Sequence, residues 1–358
     1  MEKEIKKIQF CGFRDRTTPT FVEKDVKGKT LYYGTDNKFP EYLYDLYLKS
    51  ALLQSIVNGT SDMVMGDDII IENNQYWTEY INDNGDSLTD IMKKMVVDYM
   101  IFGGYAVKVS KNSLGEVVDL EWLDFKNIRC SKDGKDIFYY IDGYGSNKEV
   151  IKYQRFDMNE KQSVSIYYFN GHISRGIYPV PVYNGALSAI ETSIEISKFH
   201  LSTIRKNFSG NFIINYNDSN YTEEQKHQIK DAIKKQYTGA DNAGSVMLAF
   251  NNGKENAVTV TRIPEDNFDK KYEALKESTF KEIFIGFRAT PQLFGYTLEG
   301  TGFSKQEFSE AFTLYNKTTV KPIQKDILNS LKKIFVDTPV EITIIPFNIE
   351  DSKNEEVI

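Results

Sequence analysis

The sequence predicts an α+β protein whose architecture is set by long helices. Three observations lead there. Leu187, Ile190, Ile194, Ser197, Leu201, Ile204 and Phe208 follow one another at spacings of three and four, a heptad seam held over about three heptads. From Tyr105 to Phe169 the pattern changes to strand-like alternation. From Phe268 to Phe335 the chain reads as one long helix, a proline break, a glycine-rich loop and a second long helix.

Taken in order, residues 1–30 are charged and irregular and are expected to order only against a partner. Tyr32 to Pro40 is a turn-rich lead-in. Tyr42, Leu43, Leu46, Leu48, Leu52, Leu53 and Ile56 recur near helical spacing and predict one helix ending near Gly59. A second helix passes through Leu88, Ile91, Met95, Val96 and Met100 and stops at Gly103 and Gly104. Tyr105–Val109, Glu116–Trp122 and Val164–Phe169 alternate as strands, with glycine or Asp-Gly turns between them. The seam helix follows Pro179 and Pro181, and its stripe fits either a neighbouring helix or an ordinary core-facing side.

Gly210–Arg262 then forms a small α/β unit: a strand at Phe212–Tyr216, a helix at Thr222–Tyr237, and strands at Val246–Phe250 and Val258–Arg262. Chain order makes the two helices flanking this unit antiparallel neighbours. Pro291 disfavours the α region at Thr290, so the returning helix ends there. The loop Thr297, Leu298, Glu299, Gly300, Thr301, Gly302 has two glycines to bend it and Leu298 as its one apolar anchor. Ser304 opens a helix carrying Phe308, Phe312, Tyr315, Ile323, Ile327 and Leu331, with a kink expected at Pro322. Glu341–Ile345 is a last strand before a polar, acidic tail.

A chain of 358 residues can bury a full core in one large or two to three smaller domains. Its 23 tyrosines and 23 phenylalanines fit either large interfaces or the bias of an AT-rich genome. A net charge of −7 argues against a protein that grips nucleic acid by neutralising many phosphates. Cys11 and Cys130, at unrelated spacing, form neither a disulfide framework nor a zinc site, which favours a reducing compartment. No signal-peptide pattern follows Met1 and no apolar run reaches spanning length, so a soluble, intracellular protein without membrane contact is expected.

Motifs for catalysis fail on inspection. His172, His200 and His227 are scattered, without metal-ligand spacing, and read as surface or interface residues. Gly295 to Gly302 approaches a phosphate-binding loop but has Thr301 where the lysine must stand, and it follows a helix break instead of a strand. Gly143 and Gly145 lack the third glycine of a dinucleotide fingerprint. The stretches at Asp83–Asp86 and Asp133–Asp136 lack calcium-loop spacing. No enzyme, cofactor or metal site is expected.

Five motifs in order do point somewhere. Phe287-Arg-Ala-Thr-Pro-Gln-Leu-Phe-Gly295, Val320-Lys-Pro322 in the last long helix, Phe102-Gly-Gly-Tyr-Ala-Val107, Gly115-Glu-Val-Val-Asp-Leu-Glu-Trp-Leu123 and Tyr33-Gly-Thr-Asp-Asn-Lys-Phe-Pro-Glu-Tyr-Leu43 resemble segments of the portal proteins of tailed double-stranded DNA phages. The likeness is to the compact portals of long-tailed phages and prophages and covers residues 31–347. It implies a homo-oligomeric ring, usually of twelve subunits, at one capsid vertex, and therefore a virion protein present in the host cytoplasm during assembly. Double-stranded DNA would pass through the ring. The terminase large subunit, a head–tail adaptor, and the major capsid and scaffold proteins would be its partners.

The resemblance also divides the chain into an arm (1–30), a β-containing wing (31–185), a first stem helix (186–209), a clip (210–262), a second stem helix (263–289), a tunnel-loop region (290–303), a long kinked helix and closing strand returning to the wing (304–347), and a tail (348–358). Thr297, Leu298, Glu299, Gly300, Thr301 and Gly302 would narrow the channel around DNA. Lys198, Arg205 and Lys206 on the first stem helix, with Lys281 and Arg288 on the second, are candidate channel cations; the plainer alternative for each, which the residues alone favour, is a solvated face or an intersubunit ion pair. The sequence departs from many portals in ending soon after the last strand, so a helical crown is expected to be absent or minimal. Two other readings stand beside this one: a carboxylate- and metal-dependent nucleic-acid enzyme, and a monomeric helical binding module whose seam is satisfied within one chain.

Overall fold

The computed structural model describes residues 21–25, 30–141, 143, 149–160, 162–171, 173–205, 212–216, 222, 224–225, 227–228, 246–250, 258–262, 268–296 and 304–347. It is a mixed helix–strand protein, as expected. The chain enters through strand β1 (Glu23–Lys24), which pairs antiparallel with β2 (Tyr32–Tyr33). Phe21 packs edge-on against Tyr33 and Phe39, and the Glu23 carboxylate accepts the Tyr178 N–H at 2.6 Å. This end of the expected arm is therefore held by its own chain, not by a partner.

The single helix expected over Tyr42–Ile56 is two helices, α1 (Phe39–Lys49) and α2 (Ala51–Met65). Ser50 takes an extended conformation and its Oγ accepts the Leu53 N–H at 3.2 Å, which starts a new helix. Leu48, part of the periodic run, is exposed, so the apparent continuity across the break is a coincidence of spacing. Gly59 does not end α2. It lies inside the helix, where a Cβ would stand 3.1 Å from the Phe294 ring.

After strand β3 (Asp68–Glu72) and a short helix α3 (Gln75–Glu79), helix α4 (Leu88–Phe102) opens on a reciprocal cap between Ser87 and Asp90. It stops at Gly103, whose φ of 80° admits few other residues and whose missing side chain lets the Val180 carbonyl approach. Strand β4 (Gly104–Lys111) then forms the centre of an antiparallel sheet between β5 (Val117–Trp122) and β9 (Val164–Asn170). A second antiparallel sheet runs β6 (Ile128–Cys130), β7 (Asp136–Tyr140), β8 (Val150–Gln154).

Helix α5 (Leu187–Arg205) leaves this body, and α6 (Phe268–Phe287) returns. Between them β10 (Phe212–Tyr216) pairs parallel with β11 (Val246–Phe250) and antiparallel with β12 (Val258–Arg262), the three strands read from the sequence. Of the intervening helix, Glu224, Gln225, His227 and Gln228 are helical and Thr222 lies just before them, outside the helix; the rest of the expected Thr222–Tyr237 lies outside the described residues.

Helix α7 (Lys305–Tyr315) continues through a π-helical stretch, Asn316–Val320, into α8 (Lys321–Ile334). The expected irregularity is thus present but lies just before Pro322, which sits in the first turn of α8. Proline has no N–H to donate back to the preceding turn, and the π turn absorbs the mismatch. α8 buries Ile323, Ile327, Leu331 and Ile334 in the main core and packs on α2 and α4. Ser330 ties it to the sheet: its Oγ accepts from Tyr105 at 2.6 Å and Tyr167 at 3.0 Å and donates to the Asp326 carbonyl. The last strand, β13 (Glu341–Ile345), pairs antiparallel with β3, so the two ends of the body close on one another.

Candidate nucleic-acid interface

Helices α5 and α6 pack antiparallel. At the body end Ala186 approaches Gly286, where a Cβ would lie 2.7 Å from the Ala186 methyl. Tyr183 stacks on Phe287 at 4.7 Å, and its hydroxyl donates to the Ile101 carbonyl at 2.7 Å. Farther out, Phe199 stacks on Tyr272 at 4.6 Å. The seam of α5 divides along its length. Leu187, Ile190 and Ile194 are buried, but the buried line then moves to Ile196 and the half-buried Phe199, leaving Ser197 and Leu201 exposed. Leu201 is 48% exposed and Ile285, on α6, 74%. The side chain of Ile204 and all of Phe208 lie outside the described residues.

The candidate cations are not gathered at one point. Lys198 pairs with Glu195 at 2.7 Å and Lys281 with Glu277 at 2.7 Å, each along its own helix with both partners well exposed. Such pairs are screened and contribute little to stability, so either lysine can exchange its carboxylate for another anion. Arg205 is the last residue of α5, and its side chain is outside the described residues, as is the whole of Lys206. Arg288 is exposed, with a φ of 54°, in the turn that ends α6. Thr297, Leu298, Glu299, Gly300, Thr301 and Gly302 lie outside the described residues.

The loop's two footings are described, and the sequence alone does not reveal what holds them. Tyr296, just before the loop, meets Phe280 and Phe284, and Phe294 packs edge-on against Tyr315. Gly59 makes room for Phe294, and the Tyr315 hydroxyl shares a 2.7 Å hydrogen bond with Thr60; burial pushes that phenol up to about 12. On the far side Ser304 and Glu307 cap α7 reciprocally. The one sequence signal for this footing is Gly59 within α2, which reads more readily as a terminus.

The body also holds buried ionisable groups that belong to its frame. Arg129 is fully buried and donates to the Asn37 side chain and carbonyl, to the Lys126 and Ile128 carbonyls, and to Glu41 at 3.1 Å. Asp98 is buried and accepts from Trp122 Nε1 at 2.8 Å, and desolvation holds its carboxyl well above the usual range. Cys130 is buried, its thiol pushed up to about 12 by desolvation. Among the described residues no group of three His, Cys, Asp or Glu side chains is placed to hold a metal ion, and no helix is long and apolar enough to cross a membrane. His200 and His227 are exposed; His172 lies outside the described residues.

A sequence profile of the phage portal protein family matches residues 81–352. The fold is similar to a chain from the neck of an empty gene transfer agent particle computed with C6 symmetry, at 15% identity and a TM-score of 0.57, over 94% of this chain and 88% of that one. A chain from the neck of a native particle of that kind computed with C12 symmetry matches at 15% and 0.56, over 88% and 86%. An HK97 family phage portal protein from Corynebacterium diphtheriae matches at 9% and 0.54, over 84% and 95%.

Proposed function

The chain belongs to the phage portal protein family, and from that premise we propose that it forms a ring, of twelve subunits in the particle, at one vertex of the capsid. In this reading α5 and α6 are the stem, the β10–β12 unit is the clip, and the body from Leu31 to Tyr183, with the chain after Ser304, is the wing. DNA enters and leaves through the ring. The terminase large subunit docks during filling and a head–tail adaptor afterwards, with capsid and scaffold proteins around the wing. The protein acts in the virion after assembly in the host cytoplasm, and the reading assigns it no catalytic step.

The observation that carries this reading, beside family membership, is the divided seam of α5. A self-contained bundle would bury the stripe along its whole length, whereas here Leu201 and Ile285 remain in solvent on the two stem helices. Neighbouring copies in a ring supply the missing partner surface.

Thr297–Gly302 is assigned to the channel as the loop that meets DNA, with Lys198, Arg205, Lys206, Lys281 and Arg288 as further channel-facing cations. Replacing Thr297–Gly302 with two glycines tests the loop assignment. Rings of unchanged subunit number should form, and particles built with them should protect several-fold less DNA from nuclease. Unchanged protected DNA would contradict the assignment.

A further inference from the structure

Helix α8 has an outer face of one sign. Its inner side buries Ile323, Ile327, Ser330, Leu331 and Ile334, and its exposed residues are Lys321, Pro322, Lys325, Asn329, Lys332 and Lys333. Lys317, exposed in the π turn, precedes them. The helix's one carboxylate, Asp326, is half-buried beside the inner face, where it takes a hydrogen bond from Tyr99. No ion pair engages any of the five lysines among the described residues.

This differs from the other helices. Lys49 has Asp45 four residues before it, Lys281 has Glu277, and Lys198 has Glu195 three before. The residues four before Lys321 and Lys325 are Lys317 and Lys321. Like charges at that spacing repel. The helix dipole favours Lys332 and Lys333 in the last turn, but its effect has faded by Lys325 and Lys321. So this face carries self-repulsion, in a protein of net charge −7, that an external anion would relieve.

From Lys321 to Lys332 the helix rises roughly 16 Å. A cationic line of that length can lie along a duplex, which carries a negative charge about every 1.7 Å of its axis. We propose that the exposed face of α8 is a sequence-independent docking surface for the phosphate backbone of double-stranded DNA. The choice of duplex DNA as the polyanion rests on the portal reading. Lys321 lies roughly 24 Å along the α7–α8 rod from Lys305, at the start of α7. A few unpaired lysines bind weakly and release quickly, as a surface beside moving DNA requires.

The test is fluorescence anisotropy of a labelled 40-base-pair duplex titrated with the full-length assembled protein between 50 and 200 mM NaCl, with native mass measured in the same buffers. Three variants are compared with the parent: Lys321→Gln, Lys325→Gln, Lys332→Gln and Lys333→Gln together; the same four changed to arginine; and a charge-matched control at Lys49, Lys93, Lys135 and Lys152. The glutamine variant should bind at least tenfold more weakly at 100 mM salt. Its log–log salt slope should flatten by about 0.9 for each phosphate that a bound chain no longer neutralises. The arginine variant and the control should match the parent. Equal weakening in the control, or none in the glutamine variant, overturns the proposal. So does a glutamine variant that binds DNA normally but no longer assembles, which would make α8 a contact for an acidic protein surface. If the parent itself forms no ring, the mass measurement shows the portal reading to fail, while the duplex titration still decides the α8 surface.

Discussion

Arg129 and Asp98 are the residues on which the body depends in ways that no hydrophobic pattern reveals. Arg129 lies between Ile128 and Cys130 on a short strand and would be read as the solvent side of an alternating pattern, yet it is fully buried and saturated with acceptors. Arg129→Met leaves Glu41 and the Asn37 carbonyl without their donor and should lower unfolding free energy by about 3–5 kcal/mol in urea titration. Lysine cannot reproduce the planar fork, so Arg129→Lys should recover little of that stability. Asp98 works through pH. Its folded-state pKa is raised by burial, so its contribution to stability is present in full below its unfolded value, near 4, and declines as pH rises toward the folded one. Asp98→Asn should flatten that decline between pH 4 and 8 in thermal melts, whatever constant offset it adds. An unchanged slope would show that the carboxyl is not the source. Neither residue can be singled out from sequence, because a buried charge and a surface charge are the same letter.

At the scale of elements, legibility follows punctuation. Helix α4 is readable because Gly103 ends it, α6 because Pro291 follows, and strands β10 to β12 because short apolar or β-branched runs stand apart. The α1–α2 break is hidden because a lone extended serine preserves an apparently continuous helical pattern. Strand β3 is hidden because Asp68–Glu72 holds three consecutive isoleucines, a run too short to tell from helix. Two substitutions test how these elements are held. Ser304→Ala removes the cap of α7 and should cost about 1 kcal/mol. Its effect should concentrate in faster amide exchange of the first turn of α7, with β4 and β9 unchanged. Gly286→Val pushes a branched side chain into Ala186, where α5 and α6 meet, and overpacking of this kind costs roughly 1–3 kcal/mol. It should loosen the junction of α5 and α6 before the body melts, seen as early loss of the proposed ring's mass on warming. Simultaneous loss of ring and body would mean that the two are not separable.

At the scale of the molecule, the order of elements carries more than any one site does. A body, a helix out, a three-stranded cap, a helix back and a long broken helix can be read in the sequence, and the structure has its described elements in that order. What a single sequence withholds is which faces are shared between copies, since an exposed leucine and a partner-seeking leucine look alike in one chain. The divided seam of α5 bears on that distinction: Leu201 is in solvent in one chain, and the proposed ring would set a neighbour against it. The direct measurement is native mass of the purified full-length protein, by light scattering or native mass spectrometry, with negative-stain images of the same sample. The account predicts closed rings with a central hole, near twelve times 41.2 kDa or roughly 490 kDa for the particle form. A protein that stays at 41.2 kDa at high concentration, with Leu201→Glu leaving its mass and melting unchanged, would contradict it.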